Sequence, residues 1–140
     1  MLPDTAKHPV VVIVDDHDTL RQSLCDYIGA TFRQCRLLQA GDVNAALGIV
    51  DREWVNLVIM DIHLPGTNGI EGTRAVLRAS PLTTVVVVSN YDDASHRADA
   101  IEAGARAFVC KRAINKALIP VLRGLLATSD PDLAALAAVA

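Results

Sequence analysis

Val55-Asn56-Leu57-Val58-Ile59-Met60-Asp61-Ile62-His63-Leu64-Pro65-Gly66 is the stretch whose reading decides the fold. An apolar run ends in one carboxylate, Asp61, and a loop with Pro65, Gly66 and Gly69 follows at once. A run that is apolar on both faces reads as a buried strand of a parallel sheet covered by helices. In open sheets of that kind, ligands bind beyond the carboxyl ends of the strands. Asp61 falls at that edge, so the next question is what else in the chain arrives there.

Working outward, Val10-Val11-Val12-Ile13-Val14 is a β-branched run that ends in Asp15-Asp16. It is too short for a helix and reads as a strand. Asp18 or Thr19 is expected to cap a helix running to about Thr31, with Leu20, Leu24, Tyr27 and Ile28 as its apolar stripe. Residues 36–40 form a weaker strand, and Asp42 caps a helix with Val43, Ala46, Leu47 and Val50 on one face. After the opening stretch, Gly69 leads into a helix through Ile70, Thr73, Val76 and Leu77, which Pro81 stops. Thr84 to Ser89 is a fourth strand. Asp92 and Asp93 open a short helix anchored by Ile101, with Gly104 as its C′ residue. Residues 106–111 form a fifth strand ending in Lys111. A last helix carries Leu118, Leu122, Leu125 and Leu126. Pro120 either starts it late, leaving a weak first turn, or bends it.

Strand and helix alternate five times, which predicts a doubly wound α/β fold with right-handed crossovers. The flavodoxin-like (βα)5 sheet, strand order 2-1-3-4-5, is the expected solution at this size. The chain divides into a lead-in at 1–9, one domain at 10–128 and a segment at 129–140. The last reads as the start of a connection to further protein or, equally, as a frayed tail.

Composition narrows the function. The chain has 140 residues, 51% of them apolar and 21% charged, as a folded domain does. The net charge is −3, with no basic cluster, and aromatics make up 4%. Direct nucleic-acid binding by this segment is therefore not expected. Cys25, Cys35 and Cys110 are odd in number and lack metal-ligand spacing. They read as reduced core residues of a cytoplasmic protein. No apolar run is long enough to span a membrane, and residues 1–9 lack the features of a signal peptide.

Four strand ends thus bring Asp15, Asp16, Asp61, Ser89 and Lys111 to one edge. Taken singly, each has an ordinary reading: a helix cap, a solvated hydroxyl or a surface amine. Together they describe a site. Three carboxylates repel one another unless a cation sits among them. Carboxylate and carbonyl oxygens suit Mg²⁺, which keeps its waters and bridges to phosphate. With an amine and a hydroxyl alongside, the parts suit phosphoryl transfer to a carboxylate.

The chain resembles the receiver domain of two-component response regulators over about residues 10–127. The resemblance rests on Val14-Asp15-Asp16-His17, on Met60-Asp61-Ile62-His63-Leu64-Pro65 with Gly69, on Val88-Ser89, and on Gly104 through Lys111. It implies that Asp61 accepts a phosphoryl group from a sensor histidine kinase. It implies Mg²⁺ held by Asp15, Asp16, Asp61 and the backbone carbonyl of His63. It gives Lys111 to the phosphoryl group and makes Ser89 and Phe108 a switch pair, with His63 and Tyr91 tuning the rate of phosphate loss. By the same resemblance the domain is a signalling phosphoacceptor, not an enzyme beyond self-phosphorylation from small donors and autodephosphorylation. It is able to form a homodimer, and it reaches DNA only through an output domain that this chain does not contain.

Arg112 replaces the proline that commonly follows the lysine. That departure, with Asp15-Asp16-His17, points to the subfamily with a LuxR-type helix-turn-helix output. Asn90 and Pro120 also depart from the family pattern. Two other readings compete. An aspartate-nucleophile phosphohydrolase needs an acid two residues after the nucleophile, and His63 stands there. A stand-alone or non-phosphorylated receiver-like interaction domain would have no need of all five site residues. A dinucleotide-binding domain is the generic α/β alternative, but no GxGxxG follows any strand.

Overall fold

A computed structural model describes residues 8–90 and 94–127. Five parallel strands, β1 Val10–Val14, β2 Arg36–Ala40, β3 Leu57–Asp61, β4 Thr84–Ser89 and β5 Ala107–Cys110, form one sheet in the order β2-β1-β3-β4-β5. This is the expected doubly wound arrangement. The helices are α1 Asp18–Thr31, α2 Val43–Arg52, α3 Gly69–Ala79, α4 Ala94–Glu102 and α5 Ile114–Ala127.

Alternation along the strands divides the core in two, because successive side chains point to opposite faces. Val12, Val14, Val58, Met60, Val85, Val87 and Phe108 belong to one buried cluster, with Val43 and Ala46 of α2 and Val76 of α3. Val11, Ile13, Leu57, Ile59, Val86, Val88 and Val109 belong to the other, with Cys25 and Ile28 of α1 and Leu118, Leu122 and Leu126 of α5. β3 sits at the centre, paired with β1 and β4, so Asp61 emerges between two neighbouring strand ends.

Four expectations are corrected. His17 caps α1, its Nδ1 accepting from Leu20 N at 3.3 Å. Asp18 is instead turned to Arg21, its Oδ1 accepting from Nη2 at 2.8 Å. The buried stripe of α1 runs through Cys25 and Ile28 and on to Phe32, while Leu20 and Tyr27 are 52% and 39% exposed. Burial of the small Cys25 rotates the helix away from the stripe that residue size suggests. In α4 the buried residue is Ala100, and Ile101 is exposed, so close approach to the sheet favoured the smaller side chain.

The fourth concerns Pro120. It lies inside α5, which starts at Ile114 and not late. Pro120 and Lys116, whose carbonyl loses its donor, are both exposed, so water can satisfy that carbonyl. Burial of Leu118, Leu122 and Leu126 carries the helix through. Two other boundaries agree with expectation: Asp42 caps α2 through Ala45 N at 2.8 Å, and Gly104 follows α4 with φ +111°. β5 is shorter than the expected 106–111, ending at Cys110 before Lys111 enters a 3-10 turn. The expected helix start at Asp92 and Asp93 and the segment 129–140 lie outside the described residues.

Candidate functional site

Asp61 is the last residue of β3, and two local features fix it. The loop after it turns back so that Gly69 N donates to Ile62 O at 2.8 Å. A Cβ at Gly69 would lie 2.0 Å from the Asp61 carbonyl oxygen, so only glycine admits the start of α3 there. Ile62 N donates to Val88 O at 3.1 Å, which extends the β3–β4 ladder past the carboxylate. His63 N donates to Asp61 Oδ1 at 3.3 Å, so the main chain of His63 lies beside the carboxylate. Ile62 and Leu64 are buried on either side, while the His63 side chain is exposed.

Strand register brings the other groups in. Asp15 follows β1, and its N–H donates to Ala40 O at 3.1 Å. Its Oδ1 accepts from His17 N at 2.9 Å. Lys111 follows β5 at the head of a short 3-10 turn, Lys111–Ala113, one residue beyond the observed strand. Its Nζ lies 3.1 Å from Asp15 Oδ2 and 3.2 Å from Asp61 Oδ2. Ligand oxygens of Asp15, Asp16 and Asp61 lie within 4.8 Å of one another. Asp15 and Asp61 are buried, and Asp16 is exposed at the rim.

The electrostatics are unbalanced. Burial raises the Asp61 carboxyl above the usual carboxylate range; Lys111 pulls it down, Asp15 pushes it up, and the net direction is upward. For Lys111, burial works against the ammonium, but Asp61 and Asp15 outweigh it and hold the amine above its ordinary value. One ammonium therefore faces a surplus of carboxylate. Three hard oxygen donors with surplus negative charge fit a divalent cation of the Mg²⁺ kind.

Ser89 and Phe108 lie on the opposite strand face from this pair. Ser89 is fully buried at the end of β4, in register with Cys110. Phe108 pairs with Val87 and is buried, so Ser89 and Phe108 share the face that α2, α3 and α4 cover. Arg97 of α4 stacks on the Phe108 ring, 4.8 Å from its centroid. His63 and His96 rings lie 6.3 Å apart at the mouth. Tyr91 lies outside the described residues.

The sequence reading missed Arg21. Its Nη1 donates to the Asp15 carbonyl at 2.6 Å, and its Nε to Gln39 Oε1 at 2.9 Å. The available signal was a cation one helical turn into the element that follows Asp15-Asp16. Exposure of Leu20 and Tyr27 has a local setting too. With Leu24, Asn90, Lys111 and Ile114 they line a groove of about 430 Å³ beside the site.

Residues 11–123 match the model of the response regulator receiver domain, and the chain belongs to that family. It is the receiver domain of a response regulator. It is 32% identical over 117 residues to the transcriptional activator protein ExaE of Pseudomonas putida, covering 84% of this chain and 55% of that protein. It is 34% identical over 101 residues to the DNA-binding transcriptional activator DevR/DosR of Mycobacterium tuberculosis, covering 72% and 46%. The chain thus spans about half the length of these relatives. A solved two-component response regulator of the LuxR family, from Aurantimonas sp. SI85-9A1, superposes with a TM-score of 0.79 at 26% identity, over 89% of this chain and 91% of that one. Among the described residues, no helix is long and apolar enough to cross a membrane.

Proposed function

We propose that this receiver accepts a phosphoryl group on Asp61 from a sensor histidine kinase and passes the change to an output that controls transcription. The observation that carries the reading is the Asp61 carboxylate itself. It is buried at the carboxyl edge, contacts Lys111 at 3.2 Å, and shares a 4.8 Å cluster with Asp15 and Asp16. In the transfer, a bond forms from an Asp61 oxygen to phosphorus. The phosphorus–nitrogen bond of the donor imidazole breaks, and its electron pair returns to the ring. Asp15, Asp16, Asp61 and the His63 carbonyl would hold Mg²⁺, which neutralises charge on the transferring group when bound. Lys111 supplies a fixed positive charge to the phosphoryl oxygens once they occupy the site. The domain is a phosphoacceptor in this reading, with self-phosphorylation and autodephosphorylation as its only chemistry.

The shared face of Ser89 and Phe108 supports a switch. Phosphorylation adds acceptor oxygens at the edge, Ser89 turns to bond them, and Phe108 responds on the same face, under Arg97. His63 and Tyr91 tune the lifetime of the phosphoryl group. The groove along Leu20 and Tyr27 offers the kinase an apolar surface next to Asp61. The domain spans 10–128 between a lead-in at 1–9 and a connector at 129–140, functions in the cytoplasm, and meets DNA only through its output. The named functions of ExaE and DevR/DosR support a transcriptional output for this chain as well.

Incubation with Mg²⁺ and a small phosphodonor, read by intact mass, tests the reading. One phosphoryl group is expected on the wild type and none on Asp61→Asn. An unmodified wild type, under conditions that label another receiver, would instead favour an interaction domain that is never phosphorylated.

A further inference from the structure

Asp15 and Asp16 supply two of the three carboxylates of the site, yet they stand in a short loop between β1 and α1. Asp15 is held at its N–H by Ala40 O and at its carboxylate by His17 N and Lys111 Nζ. Among the described residues, no hydrogen bond or ion pair holds the Asp16 carboxylate. Its direction therefore follows from the peptide plane that joins it to Asp15. The Asp15 carbonyl, which defines that plane, accepts from Arg21 Nη1 at 2.6 Å.

Arg21 is itself fixed from three directions. Nη2 donates to Asp18 Oδ1 at 2.8 Å within the first turn of α1. Nε donates to Gln39 Oε1 at 2.9 Å on β2, and Gln39 Nε2 donates to Gln22 Oε1 at 3.1 Å. The Arg21 side chain is 15% exposed. A planar guanidinium serves these divergent acceptors from one rigid fork, which a lysine ammonium on a flexible stem cannot do. Resting on the cation site of the proposed function, we infer that Arg21 is a positioning residue for that site: it sets the Asp15–Asp16 peptide, and cation affinity depends on its fork geometry, not on its charge.

Geometry and charge predict opposite signs. A cation near three carboxylates repels a divalent ion, so if charge were its role, removing Arg21 would tighten binding. If Arg21 positions the loop, removing it weakens binding, as loss of a partner behind a metal ligand commonly does by about tenfold or more.

The test is Mn²⁺ binding to the 140-residue chain, followed by electron paramagnetic resonance, with thermal melts in chelator measured alongside. Arg21→Met and Arg21→Lys are each expected to weaken Mn²⁺ by about tenfold. Gln39→Leu, which frees Nε of Arg21 but leaves its Nη1 and Nη2 contacts while also losing the Gln22 contact, should weaken it by about threefold on the same ground. Tighter binding by Arg21→Met, or wild-type affinity in Arg21→Lys, overturns the inference. So does a loss of thermal stability with unchanged affinity, which marks a purely structural staple. If Arg21→Met does not fold, Arg21→Lys and Gln39→Leu decide by the same criterion. A wild type that does not bind Mn²⁺ removes the cation site and this inference together. A wild type that binds, with variants that match it, removes this inference alone.

Discussion

At the amino edge of the sheet, Asn56 and Thr83 are buried and neutral, and main chain answers each of them. Asn56 Oδ1 accepts from Val10 N at 2.9 Å, and Thr83 Oγ1 donates to Val55 O at 2.9 Å. At the carboxyl edge, Asp15 and Asp61 are buried to a similar degree, but they are charged and share one ammonium. The amino edge is complete within the protein, since neutral buried groups need only hydrogen bonds. The carboxyl edge keeps surplus negative charge, whose burial costs free energy that a well-packed apolar edge would not incur. Polar burial at one end thus serves the fold, while at the other it works against the fold in a way that a bound cation would relieve.

The largest stability effect should fall at the amino edge. Asn56 joins three strands: its side chain caps Val10 N, its own N–H donates to Val10 O, and its carbonyl accepts from Thr84 N. Asn56→Ala strands the buried Val10 N–H, a loss of about 2 kcal/mol. Urea denaturation should show this as a lower midpoint with an unchanged slope. Phosphoryl uptake per folded molecule should stay at the wild-type level. Reduced uptake in the folded fraction would break the separation of the two edges.

How far the sequence reaches differs between these edges for the same reason. The carboxyl edge was legible because Asp15, Asp16, Asp61, Ser89 and Lys111 each end an apolar run, and charge beside apolar residues stands out. The strand order followed from five alternations and the handedness of crossovers. Asn56 gave no such signal: a neutral amide before a strand looks like any turn residue, and its partner Val10 is 46 positions away. Arg21 was hidden similarly, since nothing local shows that a helical arginine turns back to the Asp15 carbonyl. The stripe of α1 was misplaced because periodicity ranks residues by size and apolarity, and the packed surface selected Cys25 over Leu20 and Tyr27. Pro120 misled because a local rule about helices was overridden by burial on either side of it.

A smaller effect, of opposite sign, is expected at the carboxyl edge. The Asp61 carboxyl is raised above its ordinary value, with burial as the main cause. A carboxyl whose folded-state pKa exceeds its unfolded-state pKa binds its proton more tightly when folded. Its contribution to stability therefore falls as pH rises from the unfolded value through the folded one. Without divalent cations, Asp61→Asn should stabilise the domain at pH 7.5 by about 1 kcal/mol, as removal of a buried functional charge commonly does. The gain should shrink as pH falls from above the raised value toward the ordinary carboxylate value, and vanish below it, where the wild-type carboxyl is protonated in both states. Paired urea titrations at pH 7.5 and pH 4 check the sign; a destabilised Asp61→Asn at pH 7.5 would show that the Lys111 pair outweighs burial.

The smallest effect comes from β4, which carries a hydroxyl at each end. Thr83 stands immediately before its first residue, and its Oγ1 donates to Val55 O and lies 2.7 Å from Ser80 Oγ. Thr83→Val keeps the shape and removes the hydroxyl, at a cost of about 1 kcal/mol or less. Ser89 ends the same strand, fully buried, on the face it shares with Phe108. If the two ends differ in kind, deleting these hydroxyls should separate two observables. Thr83→Val should lower the denaturation midpoint and leave the phosphorylation-induced shift of the Phe108 ring resonances intact. Ser89→Ala should still take up a phosphoryl group on Asp61, since its carboxylate and Lys111 are untouched, but should lose that ring shift. A Ser89→Ala domain with the full Phe108 response would uncouple the hydroxyl from the aromatic, and their common strand face would then be a packing arrangement alone.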